Sequence, residues 1–227
     1  MPLSVELQRY VDNAVRFAVQ LRGPGRRRPI RVAHSLVTFR TAMQVLNHHR
    51  MPAESSSTYR HINVHNPRCP LFFSVERGVW TCPAAFEEHP VWGINWAGAD
   101  LICRQLGGRL PSQEEWESFA SNNDPARTYP WGDAAPTHLL ANFAEHFGGA
   151  TAVCSFPASD LGLYDLAGNL SEWCRDRFET AGGQSCERVV KGGAWSKDAR
   201  YLEIAASRGK WERLGTTTIG FRPVWDD

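Results

Sequence analysis

The stretch Gly162–Trp173 reads GLYDLAGNLSEW, and it restricts the fold more than any other part of the chain. Its two glycines suit backbone positions with positive φ, or positions where another segment approaches closely. Asp165 and Glu172 stand seven residues apart, so their carboxylates flank a turn that contains Gly168. Trp173 supplies the apolar area that holds such irregular backbone in place. The stretch therefore predicts ordered coil that is fixed by large aromatic side chains.

Similar punctuated blocks precede and follow this stretch. In chain order they are His89–Val91, Asn95–Ala99, Gly108–Glu117, Tyr129–Asp133, Ala141-Asn142, Gly162–Trp173, Arg188–Trp195 and Ile219–Val224. The series resembles the formylglycine-generating enzyme (sulfatase-modifying factor) superfamily over about residues 89–225. The resemblance implies an α+β, C-type-lectin-like fold. In such a fold two helices pack on a small twisted antiparallel sheet among much ordered coil.

Composition restricts the class of protein further. The 227 residues suffice for one large domain with its own core. The 25 Lys and Arg nearly balance the 24 Asp and Glu, so no net field attracts nucleic acid or membrane lipid. The sequence shows neither a membrane-spanning run nor a secretion segment, and we expect a soluble, cytoplasmic protein. Six cysteines without a CxxC pair indicate buried free thiols more than a disulfide framework.

The N-terminal residues carry an amphipathic pattern. Apolar side chains recur at three- and four-residue intervals between residues 3 and 21, which predicts a helix that stops at Gly23-Pro24-Gly25. We therefore divide the chain into an N-terminal amphipathic helix with a basic linker (residues 1–28) and a formylglycine-generating enzyme-like domain (residues 29–227). The apolar stripe has no evident place in a minimal lectin-like core. We expect it to dock on a partner or on a second copy of the chain.

Shorter elements are predicted downstream. Ile30–Val32 reads as a strand, and helices are expected at residues 96–106 and from Ser112 onward. Ser112 and Glu115 form a capping-box pattern at the start of the second of these helices. Arg109 stands between the two helices, where its guanidinium is expected to bind carbonyl groups at a helix end.

The GLYDLAGNLSEW stretch also predicts a calcium site. Two carboxylates around a turn with inward carbonyls suit a hard cation that takes about six to eight oxygens. Related family members hold a structural calcium in this segment. The resemblance implies these ligands: the side chains of Asp165 and Glu172 and the carbonyls of Gly168 and Leu170. The alternative is that the carboxylates cap backbone N–H groups or pair with an arginine such as Arg175.

Two further metal sites of the family are expected to be missing. A second calcium site begins at the residue that matches Asn142, but the acidic loop that should follow is shortened here. The oxidase members bind copper through two cysteines just after the Gly-Gly-Ser-Trp block, because thiolates suit Cu(I). The corresponding positions carry Lys197 and Leu202, and no cysteine follows Cys186. We therefore expect no copper and no formylglycine generation.

A third kind of relative binds iron, and this chain matches the iron ligands of that relative poorly. Sulfoxide synthases of ergothioneine-type pathways use a non-haem iron held by three histidines, mostly from a separate helical domain. The local histidines here are His48, His49, His61, His65 and His89. His61 and His65 have the i, i+4 spacing of helical metal ligands, but Asn66-Pro67 disfavours a helix there. Surface or hydrogen-bonded histidines are the simpler interpretation.

Other relatives are binding proteins, among them variable proteins diversified by retroelements, whose binding face precedes the terminal Gly-Phe-Arg. The matching span here is residues 196–218. Tyrosine, tryptophan and arginine are favoured anchors at interfaces. The predicted ligand-binding residues are Lys197, Asp198, Arg200, Tyr201, Glu203, Arg208, Lys210, Trp211 and Arg213. An ordinary solvated loop is the alternative for this span.

These observations favour one function over two others. The first hypothesis is a divergent formylglycine-generating-enzyme-like domain that binds a small-molecule ligand or a protein and has lost copper chemistry. The second is a metal-dependent oxidoreductase of a biosynthetic pathway, with iron on His61, His65 or His89 or with help from a partner subunit. The third is a retroelement-diversified binding protein, although such diversification would not readily produce the Lys, Glu and Trp found here.

Overall fold

The computed structural model describes residues 2–20, 27–51, 62, 68–179 and 186–227 of the chain. The helices are α1 (Val5–Asp12), α2 (Phe39–His48), α3 (Trp96–Gln105) and α4 (Gln113–Ser121). The strands are β1 (Val15–Gln20), β2 (Arg27–Val32), β3 (Phe72–Ser74), β4 (Val79–Thr81), β5 (Ser171–Arg177), β6 (Glu187–Lys191), β7 (Arg208–Trp211), β8 (Ile219–Gly220) and β9 (Val224–Asp226). None of the described helices is long and apolar enough to cross a membrane.

The strands form three small sheets, in the orders β1-β2-β9, β3-β4 and β7-β6-β5-β8. Neighbours pair antiparallel, except that β8 runs parallel to β5. Helix α4 lies between the first and third sheets, where its Trp116 and Phe119 share one core cluster with Ile30 of β2 and Val189 of β6. The α+β class and the C-type-lectin-like arrangement predicted from the blocks are therefore confirmed.

The N-terminal prediction is only partly right. Helix α1 ends at Asp12, and β1 pairs with β2 from Val15 to Gln20, so the predicted helix over residues 3–21 is wrong in its second half. The alternating Val15, Phe17 and Val19 face the core that contains α4. Alternating apolar residues that are partly β-branched favour a strand, but their spacing from the preceding apolar residues also fits a helix.

Helix α1 packs against the chain itself. Its Leu7 and Val11 are buried in the main core cluster, and the hydroxyl of Tyr10 donates to the carbonyl of Ser35. The apolar stripe that led us to expect a docking partner is thus covered by the chain's own core. Self-association through this helix remains a prediction, and the proposed helix stop at residues 23–25 lies outside the described residues.

The two central helices agree with the sequence. Ser112 and Glu115 form the predicted capping box, each side chain accepting from the other residue's backbone N–H. Arg109 has the structural role expected of it, but with different partners. Its guanidinium donates to both oxygens of Glu115 at 2.7 and 2.8 Å and to Asp226 at 2.6 Å. Carboxylates give Arg stronger, bidentate bonds than helix-end carbonyls do.

The cysteines are all free thiols, as predicted, but they are not all buried. Cys82, Cys103 and Cys174 lie in the interior, whereas Cys154 and Cys186 are exposed. Burial raises the pKa of Cys103 and Cys174 well above the usual thiol value, because a thiolate would lose its hydration there.

A buried ion pair connects the C-terminal strands to the rest of the domain. The guanidinium of Arg222 donates to both carboxylate oxygens of Glu172 at 2.8 to 3.2 Å, and both side chains are 1% exposed or less. Arg222 also donates to the carbonyls of Ala33 at 2.9 Å and Tyr164 at 2.6 Å. The indole N–H of Trp116 in α4 completes the shell of Glu172 at 3.0 Å. One cluster thus holds four segments together.

Replacing Arg222 by Met is expected to remove about 3–5 kcal/mol from the free energy of unfolding, because Glu172 is left charged and unpaired in the interior. Urea denaturation followed by tryptophan fluorescence measures this loss. The double variant E172Q/R222M is expected to lose less than the sum of its single variants, since the orphaned charge is gone. A loss below about 1 kcal/mol in R222M would show that the pair does not hold these segments together.

Candidate functional site

Two glycines after β6 fix the start of the predicted binding segment. Gly192 and Gly193 have φ of 83° and 70°. A Cβ at Gly192 would stand 2.7 Å from the carbonyl oxygen of Leu166, and one at Gly193 would stand 2.7 Å from that of Tyr201. Only glycine combines this backbone conformation with such close approach. The turn therefore places residues 194–202 directly against the GLYDLAGNLSEW stretch.

The two positions that match the copper cysteines serve packing and backbone contacts. Leu202 is fully buried and packs in a small cluster with Ala141, Phe143 and Ala167. Lys197 is half-buried, and its carbonyl accepts the backbone N–H of Ala144 at 2.9 Å. An ammonium group is not a soft metal ligand and a leucine side chain is no ligand at all.

Five residues of the predicted surface form a basic cluster, which we call the Tyr201 cluster: Lys197, Arg200, Tyr201, Arg208 and Lys210. The guanidinium carbons of Arg200 and Arg208 lie 4.9 and 4.8 Å from the centroid of the Tyr201 ring. These are cation–π distances, so the ring orders both arginines. Tyrosine thus gathers positive charge at one place on the surface.

The lysines of the Tyr201 cluster lie close to the arginines. Burial lowers the pKa of Lys210, and the positive charges of Arg208 and Lys197 lower it further. Glu187 opposes this effect in part. The other carboxylate at this surface is that of Asp198, whose oxygen lies 3.6 Å from Arg200 with both side chains more than 70% exposed. Such an exposed pair contributes little stability, so the cluster is available to an external anion.

The remaining predicted residues lie around the Tyr201 cluster. Trp211 ends β7 with 64% of its surface exposed, and Arg213 follows it as an exposed residue. Burial raises the pKa of Tyr129, and the negative charge of Glu203 raises it further. The structure thus brings six of the nine predicted side chains together, the five of the Tyr201 cluster and Asp198, and places Trp211 on the adjoining strand end.

A cavity of about 340 Å³ opens beside Trp195, the residue before the predicted binding segment. It is lined by Phe86, Trp92 and Trp195, by Arg68 and Thr217, and by residues 148–150. The indole N–H groups of Trp92 and Trp195 are bonded to the carbonyls of Arg68 and Thr217, so their ring faces remain as the apolar wall. Ordinary ligand pockets have this size and lining.

The predicted calcium ligands belong to separate hydrogen-bond networks. Glu172 accepts four bonds from Arg222 and Trp116, which fill the roughly four acceptor positions of a carboxylate. Asp165 accepts from the backbone N–H of Cys154 at 2.8 Å and from Asn169 at 3.4 Å. The residues do not fit a calcium that needs Glu172, because the cation would have to displace Arg222. Glu172 thus pairs with an arginine, but with Arg222 and not with the Arg175 named from the sequence.

The side chain of Asn142 is hydrogen-bonded to the shortened loop that follows it. The side-chain amide of Asn142 donates to the carbonyl of Gly149 at 2.8 Å. Its oxygen is buried and lacks a hydrogen-bond partner among the described residues. The amide thus binds a carbonyl of the shortened loop, and loss of the second calcium site remains a prediction.

The histidines give no metal centre in the described part of the chain. His61 and His65 lie outside the described residues. The rings of His48 and His49 contact each other edge-to-face at 4.9 Å, and His89 packs near Phe86 and Trp92. Among the described residues, no three His, Cys, Asp or Glu side chains are grouped to hold a metal ion.

Comparison with solved structures defines the class of fold. Treponema denticola variable protein 1 superposes with a TM-score of 0.67 at 17% identity, over 94% of this chain and 93% of that one. At this identity the likeness shows the α+β, C-type-lectin-like fold alone. Residues 70–227 match the sulfatase-modifying factor enzyme 1-like domain, and the chain belongs to this family.

Curated relatives match the same part of the chain. Serine/threonine-protein kinase Pkn1 of Chlamydia trachomatis is 34% identical over 155 residues, which cover 62% of this chain and 25% of that protein. Inactive C-alpha-formylglycine-generating enzyme 2 of Bos taurus is 34% identical over 171 residues, which cover 65% of this chain and 56% of that protein. The chain thus spans about a quarter of the first relative and about half of the second.

Removal of divalent cations tests the calcium prediction. Because Glu172 is saturated by Arg222 and Trp116, we expect EDTA to leave the melting temperature of the purified chain unchanged. Differential scanning calorimetry with EDTA, and again with excess calcium or excess magnesium, measures this. A melting temperature that falls with EDTA and returns with calcium alone would restore Asp165, Gly168, Leu170 and Glu172 as the ligand set.

Proposed function

We propose that this chain is a divergent formylglycine-generating-enzyme-like domain that binds a ligand or a protein through residues 196–218 and does not catalyse copper-dependent oxidation. The proposal rests on which residues occupy the two positions that match the copper cysteines, Lys197 and Leu202. One holds a lysine, and the other holds a leucine with 0% exposure that completes a core cluster. A packed leucine contributes stability at a place where an oxidase needs a metal ligand.

The surface next to these positions has the composition of a binding face. Tyr201 lies within cation–π distance of two arginines, and Trp211 is largely exposed. Tyrosine, tryptophan and arginine carry most of the binding energy at protein interfaces. The rigid Gly192-Gly193 turn and the buried Leu202 hold the segment in one conformation, which reduces the entropy lost on binding.

The cavity beside Trp195 offers a second recognition element on the same segment. It is lined by aromatic rings and by the backbone around Gly149, so an apolar group of a small molecule or of a partner side chain fits it. One relative, the bovine protein, carries the word inactive in its name, which agrees with a family that includes members without the oxidase reaction.

Site-specific photo-crosslinking tests the binding role. The crosslinker p-benzoylphenylalanine replaces either Trp211 on the proposed face or Val75, which is 85% exposed in the turn between β3 and β4. Irradiation in the cells that produce the chain is expected to give a discrete adduct from position 211 and none from position 75. Mass spectrometry identifies the adduct. Equal labelling from both positions, or none from 211, would contradict a binding role for this face.

A further inference from the structure

We propose that the outer edge of β7 accepts an extended acidic segment of a partner protein as an additional strand, with Arg208 and Lys210 binding its carboxylates. The proposal rests on the binding role of residues 196–218 and names the chemistry of the occupant.

The backbone of β7 is available for such pairing. The strand is the first in the order β7-β6-β5-β8, and within the described residues it pairs with β6 alone. An edge strand presents a row of backbone N–H and C=O groups to a further strand. Extended peptides that bind in this way obtain affinity from main-chain hydrogen bonds and specificity from alternate side chains.

Side-chain alternation puts the positive charges of β7 on one face. Arg208 and Lys210 are two residues apart in the strand, so they point to the same side of the sheet. A strand added beside β7 places its own alternate side chains next to them. Carboxylates at every second position would therefore meet both cations, and the Arg208 guanidinium can bind one of them bidentately.

At Gly209, the opposite face of β7 is covered by the chain itself. A Cβ at Gly209 would come to 2.5 Å both from a ring carbon of Phe178 and from a carboxylate oxygen of Glu187, so these two side chains fill the space against the glycine. The close packing fixes the strand on β6. Trp211 at the end of β7 remains 64% exposed and can cover an apolar side chain of the added segment. One edge of β7 is thus fixed on β6, and the other edge has no strand partner among the described residues.

Charge decides which partner fits. Lysines and arginines on an edge strand repel the like edge of a second copy, which disfavours self-pairing through β7. An acidic strand meets the same charges favourably. Nucleic acid is a poorer occupant, because the chain has a net charge of only +1 and the cluster spans a few side chains, not a long basic track. The observations therefore favour an acidic peptide.

Fluorescence anisotropy with defined probes tests this inference. The first probe is a labelled ten-residue peptide that alternates Glu and Val, and the second replaces each Val by Pro, which keeps the charge but removes backbone donors. The full chain is expected to bind the first peptide at least tenfold more tightly than the second. The variant R208E/K210E is expected to lose at least tenfold in affinity for the first peptide.

The matched control is R77E/R50E, which makes the same charge change at two exposed arginines away from β7. It should bind the Glu-Val peptide as the unaltered chain does. Equal binding of both peptides, or equal weakening in both double variants, would overturn strand addition at β7. Tighter binding of a ten-nucleotide single-stranded RNA than of the Glu-Val peptide would overturn the partner class. If these arms fail while position 211 still gives a discrete photo-adduct, the inference alone is wrong and the binding role stands.

Discussion

The ion pair between Glu172 and Arg222 is the constraint on which the other contacts depend. Each charge would lose several kcal/mol of hydration in the interior if it stood alone, so the two must be buried together. Arg222 also binds the carbonyls of Ala33 and Tyr164, and Glu172 accepts from Trp116 of α4. The segment after β2, the GLYDLAGNLSEW stretch, α4 and the C-terminal segment therefore meet at one point. A chain with so much irregular backbone needs such a point, because its short sheets give few ladder hydrogen bonds.

This arrangement also explains how the start of the segment after β6 is held in place. The carbonyl of Gly192 accepts the N–H of Gly168 at 2.7 Å, so the start of the segment is bonded to the stretch that contains Glu172. Leu202 then packs against Ala167 of that stretch. Hydrophobic packing and backbone bonds fix residues 192–202 on one side, and the side chains of Tyr201, Arg208 and Lys210 remain at the surface. One side of the segment is thus packed on the domain, and charged side chains lie on its other side.

Much of the fold could be predicted from local patterns. Residues within a few positions of one another determine the helix caps and the strands near Ile30 and Val189. The order of the blocks indicates the class of fold. The partner of Glu172 could not be predicted in this way, because Arg222 is 50 residues away and only the folded backbone brings them together. Likewise β1 needs β2 and α4 to be a strand, since Val15–Gln20 alone fits a continued helix.

The residues proposed to bind were recognisable by their composition, but their geometry could not be predicted. Residues 196–218 stood out by their long polar and aromatic side chains, but the contacts of Tyr201 with Arg200 and Arg208 depend on the path of the chain between the 3-10 turn at 199–201 and β7. Glu203 has the same composition signal, but its charge acts on Tyr129, where it raises the pKa of the phenol. In the same way, the spacing of Asp165 and Glu172 does not reveal that Arg222 pairs with Glu172.

The central claim is that the residues at the two positions that match the copper cysteines serve packing and backbone contacts and do not bind copper. We therefore propose that this surface binds a ligand or a protein. The most direct test of the central claim is incubation of the chain with Cu(I), oxygen and a cysteine-containing sulfatase peptide, followed by mass spectrometry of the peptide, with a copper-binding formylglycine-generating enzyme as the positive control. The account predicts that the peptide keeps its thiol while the control converts it. Conversion of the peptide cysteine to the aldehyde by this chain would contradict the account.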